Sequence, residues 1–100
     1  MDLPEMINRC TGFQWDEGNL SKVWERHRVA PIECEQVFAN EPAYAALNGE
    51  HSTVAEQRYT VFGQTNAGRE LTIVFTIRGE LIRVISARDM NRRERKAYRT

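Results

Sequence analysis

The strongest constraint on this chain is a series of three strand-like segments joined by very short connections. "QRYTVFGQ" (57–64), "RELTIVFTI" (69–77) and "LIRVISAR" (81–88) are rich in β-branched and aromatic residues. "TNAG" separates the first two and "RGE" the last two. A parallel crossover needs about a dozen residues or more, so connections this short join antiparallel neighbours. An antiparallel meander is expected.

Side chains alternate across a strand. In 69–77, Leu71, Ile73, Phe75 and Ile77 share one face, and Thr72, Val74, Thr76 and Arg78 the other. In 81–88, Ile82, Val84 and Ser86 share a face, and Leu81, Arg83 and Ile85 the other. Either register of the turn at Gly79 aligns odd positions of one strand with even positions of the next. Ile73, Phe75, Ile77, Ile82 and Val84 therefore form the core side. Thr76, Arg78 and Arg83 share the opposite side, while Arg88 follows the core parity at the strand's end.

The remaining chain supplies helices. "FQW" (13–15) reads as a short edge strand, and Asp16 as the N-cap of a helix with Leu20, Val23, Trp24 and His27 on one apolar stripe. Pro31 suits the first position of a second helix carrying Cys34, Val37 and Phe38, ended by "NEP" (40–42). Residues 43–55 read as an irregular connector with a turn signal at Asn48-Gly49. "MNRRERKAY" closes the chain as a helix capped by Asn91, with Glu94 three residues on. Residues 1–12 have little pattern and are expected to be an N-terminal extension, partly flexible. The expected fold is α+β, β-α-α-β-β-β-α, one domain over 13–100 with an antiparallel sheet packed against helices on one face.

Charge becomes informative once it is divided along the chain. Net charge is zero, yet residues 1–68 hold 5 basic against 10 acidic groups and residues 69–100 hold 9 against 4. Such segregation points to a polyanionic or acidic partner, or else to a solvated helix face with internal ion pairs. Other chemistries lack their motifs. There is no P-loop, no GxGxxG and no nucleophile elbow. Two histidines 24 positions apart, without a cysteine pair nearby, argue against zinc. Cys10 and Cys34 match neither a zinc nor a CxxC pattern, and Cys34 reads as a small apolar residue. No signal peptide or membrane span is legible, so a cytoplasmic protein is expected.

Two guanidinium groups and a hydroxyl on one sheet face are a candidate phosphate cradle, because guanidinium forks match phosphate oxygens. The blander alternative is the solvent face of an amphipathic sheet. Arg58 opens the first strand of the meander, Glu56 precedes it by two residues, and His51 stands in the connector. Glu56 and His51 are candidate proton-transfer groups.

"FQWDEGN" with "RHRV", then "VFANEP", "EHSTVAEQRYTVFG", "RELTIVFTIRG" and "RVISARDMNRRERKAY", resemble in order and spacing the BrnT family of bacterial toxins. The resemblance runs from about residue 13 to residue 98. It implies a RelE-like ribonuclease fold, RNA cleavage, growth arrest and neutralisation by a BrnA-type antitoxin, with operator DNA reached only through the toxin–antitoxin complex. By position it assigns His51, Glu56, Arg58, Thr76, Arg78 and Arg83 to catalysis. It places Arg69, Arg88 and Arg92 in its motifs, and these, with the neighbouring Arg93, are expected to contact RNA. Ser86 falls in the same R-x-x-S-A-R segment, and Glu94 and Tyr98 in the final helix. No metal or other cofactor is implied, and a hetero-oligomer with the antitoxin is. The other class of function is a non-catalytic module that binds nucleic acid or antitoxin in operon autoregulation. It is separated from the enzyme by whether Glu56 or His51 approaches Arg83.

Two departures from the family pattern concern the scaffold. Where the family usually reads K-H-G-V, this chain has "RHRV". Glycine suits a left-handed helix end, so Arg28 is expected to alter the turn locally. Ala30 replaces a capping Ser or Thr, at a cost on the order of 1 kcal/mol.

Overall fold

The computed structural model describes residues 2–47 and 56–100. His51 and the expected turn at Asn48-Gly49 lie outside the described residues. The elements, in chain order, are α1 (Leu3–Asn8), β1 (Gly12–Phe13), α2 (Glu17–His27), α3 (Pro31–Ala39), β2 (Ala43–Leu47), β3 (Tyr59–Gln64), β4 (Glu70–Arg78), β5 (Leu81–Asp89) and α4 (Arg92–Tyr98). The sheet order is β1-β5-β4-β3-β2.

The meander forms as expected. β3 pairs antiparallel with β4, and β4 with β5. Gly68 and Gly79 take the positive φ angles, 86° and 62°, that their turns require. The sheet is mixed rather than purely antiparallel, because β1 runs parallel to β5 through Gly12↔Leu81 and Phe13↔Ile82. Two residues are too few to show a period. β2 likewise occupies what reads as an irregular connector, pairing antiparallel with β3 across a register shift. The expected extension holds a helix. The Asp2 carboxylate accepts from Glu5 N at 2.9 Å, and Ile7 of α1 enters the core.

The core side is the one that alternation indicates. Leu71, Ile73, Phe75 and Val84 are fully buried against Val23, Val29, Cys34 and Val37 from α2, α3 and their junction. Phe38 of α3 packs edge-on against Phe13 of β1 at 5.5 Å and Phe75 of β4 at 5.0 Å. At Gly63 a Cβ would meet Val37 Cγ1 at 2.7 Å, so α3 can lie this close to β3 only over a glycine. Burial pushes the Cys34 thiol up to about 12, which leaves it inert, as its small apolar reading expects.

Three departures matter for the site. First, β5 contains a bulge: Val74 pairs with Ser86 and Phe75 with Val84, which leaves Ile85 unpaired. Parity reverses there. Ala87 joins the core opposite Ile73, while Ser86 and Arg88 stand on the other face, opposite Val74 and Thr72. The expected placement of Ser86 and Arg88 is thereby corrected. Second, the helices are not confined to one face, since Glu94 of α4 accepts from the Thr72 hydroxyl at 3.0 Å on the non-core side. Third, of the apolar stripe expected on α2 only Val23 is buried. Leu20 and Trp24 are exposed, as is His27, and the buried pair is Asn19 and Val23. The Asn19 amide donates to Gln14 O and Val84 O, both at 3.0 Å, while its oxygen accepts from Asp16 N. β1 ends after pairing with Ile82, so α2 covers the edge of β5 beyond it.

The helix starts read at Asp16, Pro31 and Asn91 are present. The Asp16 carboxylate accepts from Gly18 N at 2.8 Å to open α2. Pro31 opens α3, where Glu33 reaches back to Ala30 N at 2.9 Å although Ala30 offers no capping oxygen. The end of α2 does not differ from the usual left-handed form. Arg28 adopts φ 53° and ψ 42° itself, and its N–H and that of Val29 donate to Trp24 O and Val23 O. Its guanidinium lies 5.5 Å from the Trp24 ring centroid.

A left-handed non-glycine residue costs about 1–2 kcal/mol. An exposed cation–π contact returns about 0.5–1 kcal/mol of that. Arg28→Gly is accordingly expected to stabilise the fold by roughly 0.5–1 kcal/mol. The midpoint of urea unfolding at constant m-value checks this, and an unchanged or lower midpoint contradicts it.

Candidate nucleic-acid interface

Most arginines of the last third are engaged by carboxylates. Arg83 is bidentate on Asp16, at 2.8 and 3.1 Å, and also reaches Gln14 Oε1 at 3.3 Å. Its side chain is only 11% exposed. This bond is the main cause that holds the Asp16 carboxyl below its usual range. Arg69 donates to both oxygens of Asp89, both oxygens of Glu33, and the carbonyls of His27 and Arg28. Arg88 is bidentate on Glu94 at 2.6 and 2.9 Å. Arg99 pairs with Glu70, and Arg95 donates to Met90 O.

Glu56, Arg58, Thr76 and Arg78 are brought together where β3 begins and β4 ends. Arg78 donates twice to Glu56 Oε1, at 2.8 and 3.1 Å, and Arg58 lies 3.5 Å from Glu56 Oε2. The Arg78 hydrogen bond is the largest cause that keeps the Glu56 carboxyl below its usual range. Thr76 is buried, and its hydroxyl donates to Gln57 O at 2.7 Å. Arg83 does not join this group. It is the cross-strand partner of Thr76, but its guanidinium turns away to Asp16. Arg92 and Arg93 are exposed on α4, where Arg92 shares an open groove with Lys96 and Arg99.

A cleft of about 290 Å³ opens beside the β5 bulge. Val74, Ile85 and Ser86 belong to the sheet, Lys22, Arg26 and His27 come from α2, and Arg58 comes from the start of the meander. Among the described residues, the Lys22 and Arg26 side chains have no hydrogen bond or ion pair. They lie one helical turn apart, where like charges repel by a few tenths of a kcal/mol. Among these cleft residues Arg58 belongs to the catalytic set expected from sequence, and Ser86 to the matched R-x-x-S-A-R segment. The signal for the others was a pair of cations at i, i+4 on one face of α2. His27 was legible as a residue but read as part of an apolar stripe. Chemically, the cleft offers cations to phosphate oxygens, a hydroxyl, an imidazole and an apolar floor. Among the described residues no three His, Cys, Asp or Glu side chains converge as a metal site.

Residues 15–94 match the family model for the BrnT ribonuclease toxin of type II toxin–antitoxin systems. The chain belongs to this family. No match to a curated protein was found. Membership in the BrnT family makes the chain a ribonuclease toxin, with RNA as substrate and an antitoxin as partner. No helix among the described residues is long and apolar enough to cross a membrane.

The Arg88–Glu94 pair carries a pH signature. Arg88, helped by Asn91 N and Thr72, holds the Glu94 carboxyl down to about 2, well below its unfolded range. A carboxyl lowered in the folded state stabilises above its unfolded pKa, and that stability is lost as pH falls towards the folded value. Stability is therefore expected to decline between about pH 4.5 and 2, with Glu94 supplying on the order of 2 kcal/mol after allowance for solvent screening at the half-exposed Arg88. Thermal melts of Glu94→Gln across this range are expected to show a shallower acid decline than the parent chain. Parallel curves would refute the assignment.

Proposed function

We propose that this BrnT toxin is a RelE-like, metal-independent endoribonuclease that cleaves RNA in the cleft between α2 and the outer face of the sheet. The observation carrying this reading is the set of cations there. Lys22 and Arg26 project from one turn of α2 with no carboxylate partner among the described residues, and Arg58 joins them from the start of the meander. Most of the arginines nearer the C-terminus already face carboxylates.

The RNA supplies the nucleophile. Its 2′-oxygen attacks the adjacent phosphorus, the P–O5′ bond breaks, and a 2′,3′-cyclic phosphate and a 5′-hydroxyl result. Lys22, Arg26 and Arg58 bind the phosphate and stabilise the charge that develops on it. Val74 and Ile85 offer an apolar floor to a base. Glu56 is a weak base while Arg78 holds its carboxyl low, and its role is to orient Arg58. Thr76 supports the same corner through Gln57. His51 remains a candidate from sequence. Arg69, Arg83 and Arg88 serve the scaffold, and the exposed Arg92 and Arg93 extend the phosphate-binding surface.

The partner is a BrnA-type antitoxin, which joins the toxin in a hetero-oligomer that alone reaches operator DNA. Cleavage in the cytoplasm arrests translation and growth. These points rest on the sequence resemblance.

The test is RNA cleavage by the purified, antitoxin-free chain in EDTA, with and without ribosomes. Fragments ending in 2′,3′-cyclic phosphate are expected. A folded chain that cuts RNA under neither condition would overturn the metal-independent reading and favour a non-catalytic binding module. The cleft has its own test in Lys22→Ala/Arg26→Ala. Loss of two phosphate contacts is expected to lower kcat/KM by about 10- to 100-fold and to weaken its salt dependence. An unchanged kcat/KM would remove the cleft from consideration.

A further inference from the structure

We propose that His27 is the general base of this ribonuclease, accepting the proton of the attacking 2′-hydroxyl; this rests on the reading that the cleft is where RNA is cut. His27 lines the cleft beside Lys22, Arg26, Arg58 and Ser86. The lysine and arginine side chains there are cationic at neutral pH and cannot accept a proton. A serine hydroxyl is not a base at that pH. The nearest carboxylate of the adjoining corner, Glu56, is bonded to Arg78 and Arg58. An imidazole is the side chain that ordinarily changes protonation near neutrality.

Position supports the role as well. His27 is the last residue of α2, and its carbonyl accepts from Arg69 Nη2 at 3.1 Å. Arg69 is itself held by Glu33 of α3 and Asp89 of β5. The main chain under the imidazole is thus tied to three other elements, while the side chain is exposed and its ring nitrogens make no hydrogen bond among the described residues. A fixed backbone with an uncommitted ring is what a proton acceptor for a bound substrate requires.

The charged groups around it are Lys22 and Arg26 on its own helix, Arg58 from the sheet side, Arg69 below its carbonyl and Asp89 at the end of β5. In the step, a ring nitrogen of neutral His27 takes the 2′-O–H proton as the 2′-oxygen bonds to phosphorus. The P–O5′ bond breaks, and the departing O5′ takes a proton from water. The imidazolium then returns its proton to solvent, so the cycle needs no further reactant.

The experiment compares the parent chain with His27→Gln, His27→Ala and Lys22→Ala/Arg26→Ala on one RNA pool, across acid to mildly alkaline pH. Ribosomes are added if the parent chain requires them. The parent kcat is expected to rise with pH through a single transition as the base loses its proton. His27→Gln is expected to lose that transition and about 10²–10³-fold in kcat, with KM nearly unchanged. Added imidazole is expected to restore part of the His27→Ala rate, which only a folded protein can show. Retention of the transition by His27→Gln, or a loss confined to KM, would overturn the proposal. If the double variant still loses kcat/KM in that case, the cleft reading survives and only the base is wrong. If neither set of variants affects cleavage, the cleft reading falls too.

Discussion

The arrangement of helices over the sheet depends on one guanidinium. Arg69, at the entry to β4, meets two backbone carbonyls at the end of α2, the Glu33 carboxylate in the first turn of α3 and the Asp89 carboxylate at the end of β5. A helix end leaves carbonyls without intrahelical partners, and a cation there satisfies them and complements the helix dipole. The two carboxylates offset the cost of partly burying the charge. Each bond alone is modest. Together they fix how the last turn of α2 stands against the edge of β5, and the cation-bearing face of that turn forms one wall of the cleft.

The opposite wall depends on a single unpaired residue. Without the bulge at Ile85, Ser86 would point into the core and Ala87 outward. With it, an alanine packs opposite Ile73 and the hydroxyl of Ser86 reaches the cleft. The same reversal carries Arg88 to the non-core side, where Glu94 bonds it together with Thr72 and Asn91 N. The bulge thus settles both the lining of the cleft and the docking of α4. Bulges commonly redirect side chains next to functional sites, and here one residue of register turns both Ser86 and Arg88 to the non-core face.

The meander, its core face and the capped helices were legible because each rests on a local physical rule: alternation, short turns, an N-cap, a proline at a helix start. The edge strand β1 was legible near residue 13, but its parallel pairing with β5 was not, and α1 was missed because six residues of helix are too short to show a period. The burial of Asn19 escaped for a different reason. It replaces an apolar contact with three hydrogen bonds, and hydrophobic periodicity has no means of scoring that. Of the site, the corner containing Glu56, Arg58, Thr76 and Arg78 could be read. The commitment of the arginines could not, because their partners lie far away in sequence, at Asp16 for Arg83 and Glu33 for Arg69. Arg69 nonetheless carried a hint. It shares parity with Leu71 and Ile73, so it starts on the core side, facing the helices rather than the open face.

The excess of arginine towards the C-terminus therefore has mostly an internal explanation. Strong pairing with carboxylates lowers the charge that a polyanion can use, so the number of arginines in a segment is a poor guide to where RNA is held. The second half of α2 presents the opposite case. Lys22 and Arg26 repel one another, and Arg28 closes the helix in a left-handed conformation that glycine would adopt more easily. Both features oppose the stability of the same two turns. Bound phosphate would relieve the repulsion between Lys22 and Arg26, which gives substrate a preference for the geometry that the Arg69 clamp holds in advance. On the proposed reading the carboxylate-paired arginines nearer the C-terminus build the scaffold, and the second half of α2 carries the chemistry.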